Sequence, residues 1–389
     1  MELVNFLNEN KDTWRKILAA EPYNVKIKDD GDYSILEYDL LNSDMNLELV
    51  KECRGTIIRK DQDSYKVVCY AFRKFGNYGE GYADTNLIDW SMGVDVQQKV
   101  DGSLMKLFYD QGAWHLATNG TIDAFKASCG DTTFGNVFYM IVEKYVEKEK
   151  FLSYFDPNYV YMFEMVHPLY NPIVVHYSEP AIYYLGRRDM RTFEEDNSYE
   201  EIEDMNWIKY PMHFHYHSLY ECIEAAHKMG DDEEGYVVTA VNQKFNGSFL
   251  RVKVKGDKYL ALHKMRGNGP LTVQRVVEMH QEGVLDDFLA YFPEHREFVD
   301  VIARRINYLI DVADIAYTTI MSYGIENRAE YAKHATSYIG VIKAFLFMRL
   351  DGKVSGAAEY FKSVKAKVLA DAVKENFNYE YECLTHIHF

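Results

Sequence analysis

Lys99-Val-Asp-Gly-Ser103 sets an amine, a carboxylate and a glycine side by side, just ahead of the apolar, partly alternating run Leu104-Met-Lys-Leu-Phe-Tyr109. A lysine amine attacks phosphorus only when neutral, so this chemistry requires desolvation or cationic neighbours. Asp101 could hold a metal or turn the loop, and Gly102 omits a side chain where a nucleotide could press on the backbone. The alternating run reads as a strand, which puts Lys99 at the edge of a sheet. An ordinary polar turn would show the same residues, so the pattern gains weight only from the rest of the chain.

Other side chains suited to phosphate and metal chemistry stand at strand ends. Arg54 and Gly55 precede the β-branched run Thr56-Ile-Ile58, and a guanidinium there could take a phosphate through two parallel hydrogen bonds. Arg73 and Lys74 follow the strand-like Val67-Val-Cys-Tyr-Ala-Phe72. Tyr159-Val-Tyr-Met-Phe-Glu-Met-Val166 is apolar apart from Glu164, and a buried carboxylate must be paired, hydrogen-bonded or bound to a ligand. Glu234 opens the strand Gly235-Tyr-Val-Val238, and Lys253 and Lys255, two apart, share a strand face.

Taken in order, Glu52-Cys-Arg-Gly-Thr56, Phe72-Arg-Lys-Phe-Gly-Asn77, Lys99-Val-Asp-Gly, Phe163-Glu-Met-Val166, Glu234-Gly-Tyr-Val-Val238 and Arg251-Val-Lys-Val-Lys255 resemble the motifs of the covalent nucleotidyltransferases, the superfamily of ATP-dependent ligases and RNA capping enzymes. The likeness is nearest to the tRNA-repair RNA ligases of T-even-type bacteriophages and covers roughly residues 35–265 by motif. It implies an α+β fold, with an antiparallel-sheet nucleotidyltransferase domain of the ATP-grasp-like adenylylation type over residues 1–265. A small all-helical domain for RNA or tRNA specificity would follow over 271–389.

The resemblance also assigns roles. Lys99 is the catalytic nucleophile, and Arg54, Lys74, Gly102, Glu164, Lys253, Lys255 and Tyr259 bind ATP. Glu164 and Glu234 hold Mg2+ or Mn2+. Lys253 and Lys255 clamp the α-phosphate and depress the pKa of Lys99, while Arg187 or Arg188 lies near the base. Gly76 stands where the family often has a second aromatic, leaving Phe75 or Tyr78 to stack on adenine. Asn119 stands where relatives usually carry a basic residue, and Lys106 could compensate. The activity implied is ATP-dependent joining of 5′-phosphate and 3′-hydroxyl RNA ends through lysyl-AMP. The substrate would be a broken tRNA anticodon loop, with a polynucleotide kinase/phosphatase as functional partner. A DNA ligase, a GTP-using capping enzyme or a non-catalytic nucleotide- or tRNA-binding module would share many of these residues.

The elements that must position the site can be read as well. Residues 1–20 have helical spacing, Tyr33 to Tyr38 alternates as a strand, and Trp114 to Ile122 forms a hairpin partner with Gly112 in the turn. Phe134 to Tyr154 reads as one helix, and Ala181 to Arg188 as a strand. The acidic run 194–204 reads as a solvated loop or helix start. Met265-Arg-Gly-Asn-Gly-Pro270 marks a boundary, after which Val299, Ile302, Ile306, Leu309, Ala313, Ala316 and Ile320 recur at the spacing of one long amphipathic helix. DNA ligases and capping enzymes usually carry a β-barrel there, so helices favour the RNA ligase reading.

At 389 residues and 48% apolar content, the chain has core material for two domains. A net charge of -17 opposes non-specific binding to a phosphate backbone, so nucleic acid must be held locally. The 32 tyrosines could stack bases, although most belong to the core. Scattered cysteines, five in number, argue for reduced thiols in a cytoplasm and no zinc cluster. No apolar run reaches the length of a membrane span.

Overall fold

The computed structural model describes the chain apart from residues 63, 171–173, 267–270, 326 and 376–389, and only the backbone at 264–266. Part of the boundary 265–270 therefore lies outside the described residues. Two compact units are present, one over Met1–Leu260 and another beginning at Ala261.

In the first unit, β-branched and aromatic runs form antiparallel sheets. β1 (Val25–Asp30), β2 (Tyr33–Tyr38), β3 (Arg54–Asp61) and β4 (Ser64–Cys69) make a meander in that order. β5 (Asp95–Gln98) joins a third sheet, whereas β6 (Ser103–Asp110) and β7 (Ala113–Thr118) join a second. β8 (Ser128–Cys129) and β9 (Thr132–Thr133) pair alone. β10 (Tyr159–Val166), β11 (Ala181–Asp189) and β12 (Glu195–Asp196) complete the second sheet, ordered β12-β11-β10-β6-β7. β13 (His213–Phe214), β14 (Gly235–Phe245) and β15 (Ser248–Lys255) complete the third, ordered β13-β5-β14-β15.

The tight hairpins follow from their turn residues. Gln111 and Gly112 between β6 and β7, and Asn246 and Gly247 between β14 and β15, all have positive φ, the conformation in which a two-residue turn matches strand twist. The main core lies where the second sheet packs Met105, Leu107, Phe163 and Tyr184 against Phe138, Ile141 and Phe151. Helix Phe134–Val142 starts at Thr133, whose hydroxyl accepts the Asn136 N–H, but the expected single helix to Tyr154 is broken. Tyr145 stacks on Trp207 at 5.0 Å instead of continuing the helical face, and a second helix runs over Lys148–Leu152.

Two further expectations are corrected. β4 ends at Cys69, so Tyr70 to Phe72 lie outside any sheet. The acidic run is not uniformly solvated, because Glu195 is fully buried between Arg188 and Arg251 and Glu201 pairs with Arg187.

Gly55, the second residue of β3, has φ +69°, and a Cβ there would lie 2.2 Å from the Asn119 carbonyl oxygen. Gly55→Ala is therefore expected to cost about 2–4 kcal/mol, through left-handed backbone strain and overpacking, read as a lower urea midpoint at unchanged m-value.

The described part of the second unit contains helices and no strand. Its longest helix, Arg296–Ser322, buries all seven apolar positions named from the sequence, and Arg305 with them. Shorter helices include Val273–Glu282, Gly340–Leu350 and Ala366–Glu375. Among the described residues no helix is long and apolar enough to cross a membrane.

Candidate active site

Lys99 sits where the chain crosses from β5 in one sheet to β6 in another, not at the edge of a single sheet as its flanking strand implied. Its N–H donates to the Gly235 carbonyl at 2.8 Å, fixing the crossing to the start of β14. Gly235 has φ +144°, and a Cβ there would lie 2.1 Å from the Val254 carbonyl oxygen, so only glycine brings Glu234 this close. The Lys99 ammonium donates to Glu234 Oε2 at 2.6 Å, and Lys255 pairs with Oε1 of the same carboxylate at 2.9 Å.

Asp101 turns the loop. Its Oδ2 accepts the Val175 N–H at 3.1 Å, its Oδ1 accepts the Tyr259 hydroxyl at 3.1 Å, and its own N–H donates to the Tyr177 hydroxyl at 3.0 Å. Gly102 is crowded by its own chain, since a Cβ would lie 2.7 Å from the Met165 carbonyl oxygen and 2.8 Å from Glu164 Cγ. Packing against β10 by itself demands a glycine here.

A cavity of about 250 Å³ opens beside Lys99. Glu164 and Lys99 face it together with Arg54, Arg251 and Lys253, and Val100, Leu104, Leu185 and Val237 supply an apolar wall. Gly102, Phe75 and Asn119 also line it. Lys74, Lys255, Glu234, Tyr259 and Tyr78 do not. Lys74 is buried beneath the rings of Tyr38 and Tyr82, and Tyr78 is half exposed.

The electrostatics overturn one expectation. Burial pushes the Lys99 amine down, but Glu234, Glu164 and Asp101 outweigh it and hold the group above the ordinary lysine value. Lys255 does not depress it, being spent on Glu234. The lysine held well below its usual value is Lys253, through burial and the nearby charges of Arg54, Lys74, Lys99 and Lys255. Burial would raise Glu234, yet Lys99 and Lys255 keep it ionised and below its ordinary value.

Glu164 is pushed up to about 7, mainly by burial, with Lys99 pulling it down and Glu234 pushing it up. A carboxyl raised in the folded state adds stability that is complete below its ordinary 4.5 and lost as pH climbs through about 7. Glu164→Gln removes this dependence. Its melting temperature is expected to match the parent near pH 4 and to exceed it at pH 8 by the equivalent of roughly 1–3 kcal/mol.

Arg187 and Arg188 are structural rather than near a base. Arg187 is held by Asp196 and Glu201, and Arg188 is fully buried on Glu195, the Ala71 and Phe193 carbonyls and Ser248. Lys106, also fully buried, donates to the Gly55 carbonyl and does not reach the cavity wall. Arg251 on the wall was passed over in the sequence, although it shares the alternation of Lys253 and Lys255 and hence their strand face.

Among the described residues no group of three or more His, Cys, Asp or Glu is placed to hold a metal ion. Of the two expected metal carboxylates, Glu164 lines the cavity, whereas Glu234 does not and has both oxygens engaged, by Lys99 and Lys255.

The chain belongs to the RNA ligase family, whose sequence profile matches residues 52–259. An RNA ligase of Rhodothermus phage RM378 is 26% identical, with 96% of this chain and 96% of that protein aligned. A protein of Autographa californica nuclear polyhedrosis virus, named as a bifunctional polynucleotide kinase/RNA ligase, is 29% identical over 72% of this chain and 40% of its own length. The chain thus spans less than half of that relative. Among solved structures, an archaeal ATP-dependent RNA ligase aligns with a TM-score of 0.42 at 14% identity, covering 87% of this chain and 86% of that one.

Proposed function

We propose that the protein is an ATP-dependent RNA ligase that joins 5′-phosphate and 3′-hydroxyl ends. The observation that carries this reading is a lysine amine on the wall of a cavity that also presents two arginines, a second lysine and a half-buried glutamate. Lys99 Nζ forms a bond to the α-phosphorus of ATP as the α–β anhydride bond breaks, pyrophosphate leaves, and the amine gives up its proton. A 5′-phosphate oxygen of RNA then takes the AMP, breaking the P–N bond. The 3′-hydroxyl finally attacks the activated 5′-phosphate, and AMP leaves as the phosphodiester closes.

In the resting site Lys99 is a cation on Glu234, so it becomes nucleophilic only when that carboxylate is otherwise engaged. A divalent ion on Glu164 and Glu234 would supply charge neutralisation at the phosphates. Arg54 and Lys253 bind phosphate oxygens from the cavity wall, with Lys74 close behind as a further positive charge. Lys255 and Tyr259 are positioning residues, acting through Glu234 and Asp101. In this reading residues 1–265 are the adenylyltransferase domain, and the domain over 271–389, helical among its described residues, contacts folded RNA. We extend the proposal to a cut tRNA anticodon loop as cytoplasmic substrate. A separate kinase/phosphatase would prepare its ends, a pairing supported by the kinase and ligase joined in the name of the baculovirus relative.

The test is to incubate the chain with α-labelled ATP or GTP and Mg2+, map the labelled residue, and chase with RNA or nicked DNA. Label on Lys99 from ATP that moves to 5′-phosphorylated RNA supports the reading. Label from GTP, transfer only to DNA, or nucleotide binding without an acid-labile adduct rejects it.

A further inference from the structure

Three cations converge on one aromatic ring. The Lys253 ammonium lies 4.7 Å from the centroid of Phe75, the Arg54 guanidinium 5.8 Å and the Arg251 guanidinium 5.9 Å, and all four side chains line the same cavity. Arg251 is anchored from behind by Glu195 at 2.5 Å and rests against Phe72 and Phe249 at 4.9 and 5.4 Å. Arg54 keeps a buried Nη1 with no hydrogen-bond partner, and among the described residues Lys253 has no carboxylate within ion-pair distance. Like charges gathered this closely repel, and a ring quadrupole offsets only part of that. A polyanion in the cavity would offset the rest and give the orphaned Arg54 donor a partner.

A ring engaged by cations offers a purine less open face. We infer that Phe75 is the seat of a three-cation phosphate site and that Arg251 is a phosphate-binding residue alongside Arg54 and Lys253. The base is left to the aliphatic wall that includes Leu185 and Val237. Asn119 faces the same cavity, so Arg251 brings from β15 the charge that position 119 lacks. The inference rests on the reading of this cavity as an ATP site, and it names which part of the molecule each wall receives.

The two parts can be titrated separately by calorimetry on the full chain, with inorganic tripolyphosphate and with adenosine. Phe75→Leu keeps an apolar side chain but loses the π face. Arg251→Met leaves Glu195 paired with Arg188, so the buried carboxylate is not orphaned. Each is expected to weaken tripolyphosphate about tenfold and leave adenosine unchanged, while Phe75→Tyr, which keeps the π face, retains tripolyphosphate binding. Equal weakening of adenosine in Phe75→Leu would show that the ring stacks on the base and overturn the proposal. An unchanged tripolyphosphate affinity in both variants would overturn it as well. Labelling of wild-type Lys99 by ATP, run in parallel, separates the two readings. Label without tripolyphosphate binding rejects the three-cation site alone, whereas tripolyphosphate binding without label rejects the ligase reading alone.

Discussion

Lys99→Ala is expected to take up no label from ATP at any pH and to seal no 5′-phosphorylated RNA, while its melting temperature stays within a few degrees of the parent. The fold survives because Glu234, almost wholly buried, loses one partner and keeps another: Lys255 remains at 2.9 Å on Oε1. Lys99→Arg should fail in the same way, since it preserves the cation but supplies no nucleophile below its very high pKa. The parent's pH profile provides a second check. With Lys99 held above the ordinary lysine value, its neutral fraction rises about tenfold per pH unit throughout the neutral and mildly alkaline range. Adduct formation should climb accordingly as long as the amine limits the rate. A lysine depressed by cationic neighbours would instead reach a plateau, so a flat profile above pH 8 would mean that Glu234 is disengaged before the reaction begins. Supplied with RNA already carrying AMP on its 5′-phosphate, Lys99→Ala should still close the phosphodiester, because that step uses the RNA hydroxyl as nucleophile.

Patterns with a local cause could be read directly from the chain. The alternation from Tyr33 to Tyr38 is β2 residue for residue, and the apolar run from Tyr159 to Val166 is β10 with Glu164 as its one acid. The three-and-four spacing from Val299 to Ile320 is the buried face of a single helix. Lys99, Glu164, Arg54 and Lys253, picked out by motif, are brought to one cavity. What could not be read was the pairing of charges across long separations. Lys255 and Lys253 look equivalent two residues apart on one strand, yet one faces Glu234 and the other the Phe75 ring. Arg73, Arg187 and Arg188 look like available cations until Glu48, Asp84, Glu201, Asp196 and Glu195 are placed beside them. Gly102 lines the cavity, and the closeness of β10 is a further demand for glycine that its motif did not reveal. Each of these outcomes depends on which side chain sits across a sheet, which spacing along the chain does not encode.

Glu195→Ala is expected to be the most destabilising single change in the first unit, costing about 3–5 kcal/mol, because it strands two buried guanidinium groups at once. Arg188 and Arg251 share this carboxylate at 3.1 and 2.5 Å, and the Phe249 N–H donates to it at 3.3 Å. Against a typical domain stability of roughly 5–15 kcal/mol, such a loss should move the urea midpoint by more than 1 M and lower the melting temperature well beyond the effect of Gly55→Ala. Glu195→Gln keeps an acceptor while removing the charge, so it should fall between the parent and Glu195→Ala. Arg188→Met should cost less than Glu195→Ala, because Glu195 then remains paired with Arg251 and no buried charge of either sign is left alone. That ordering separates a charge-compensated cluster from a simple packing defect, in which the largest side chain removed would cost most. The cluster also reaches the cavity through Arg251, so a Glu195→Gln protein that still folds should lose tripolyphosphate affinity even though position 195 is buried away from solvent.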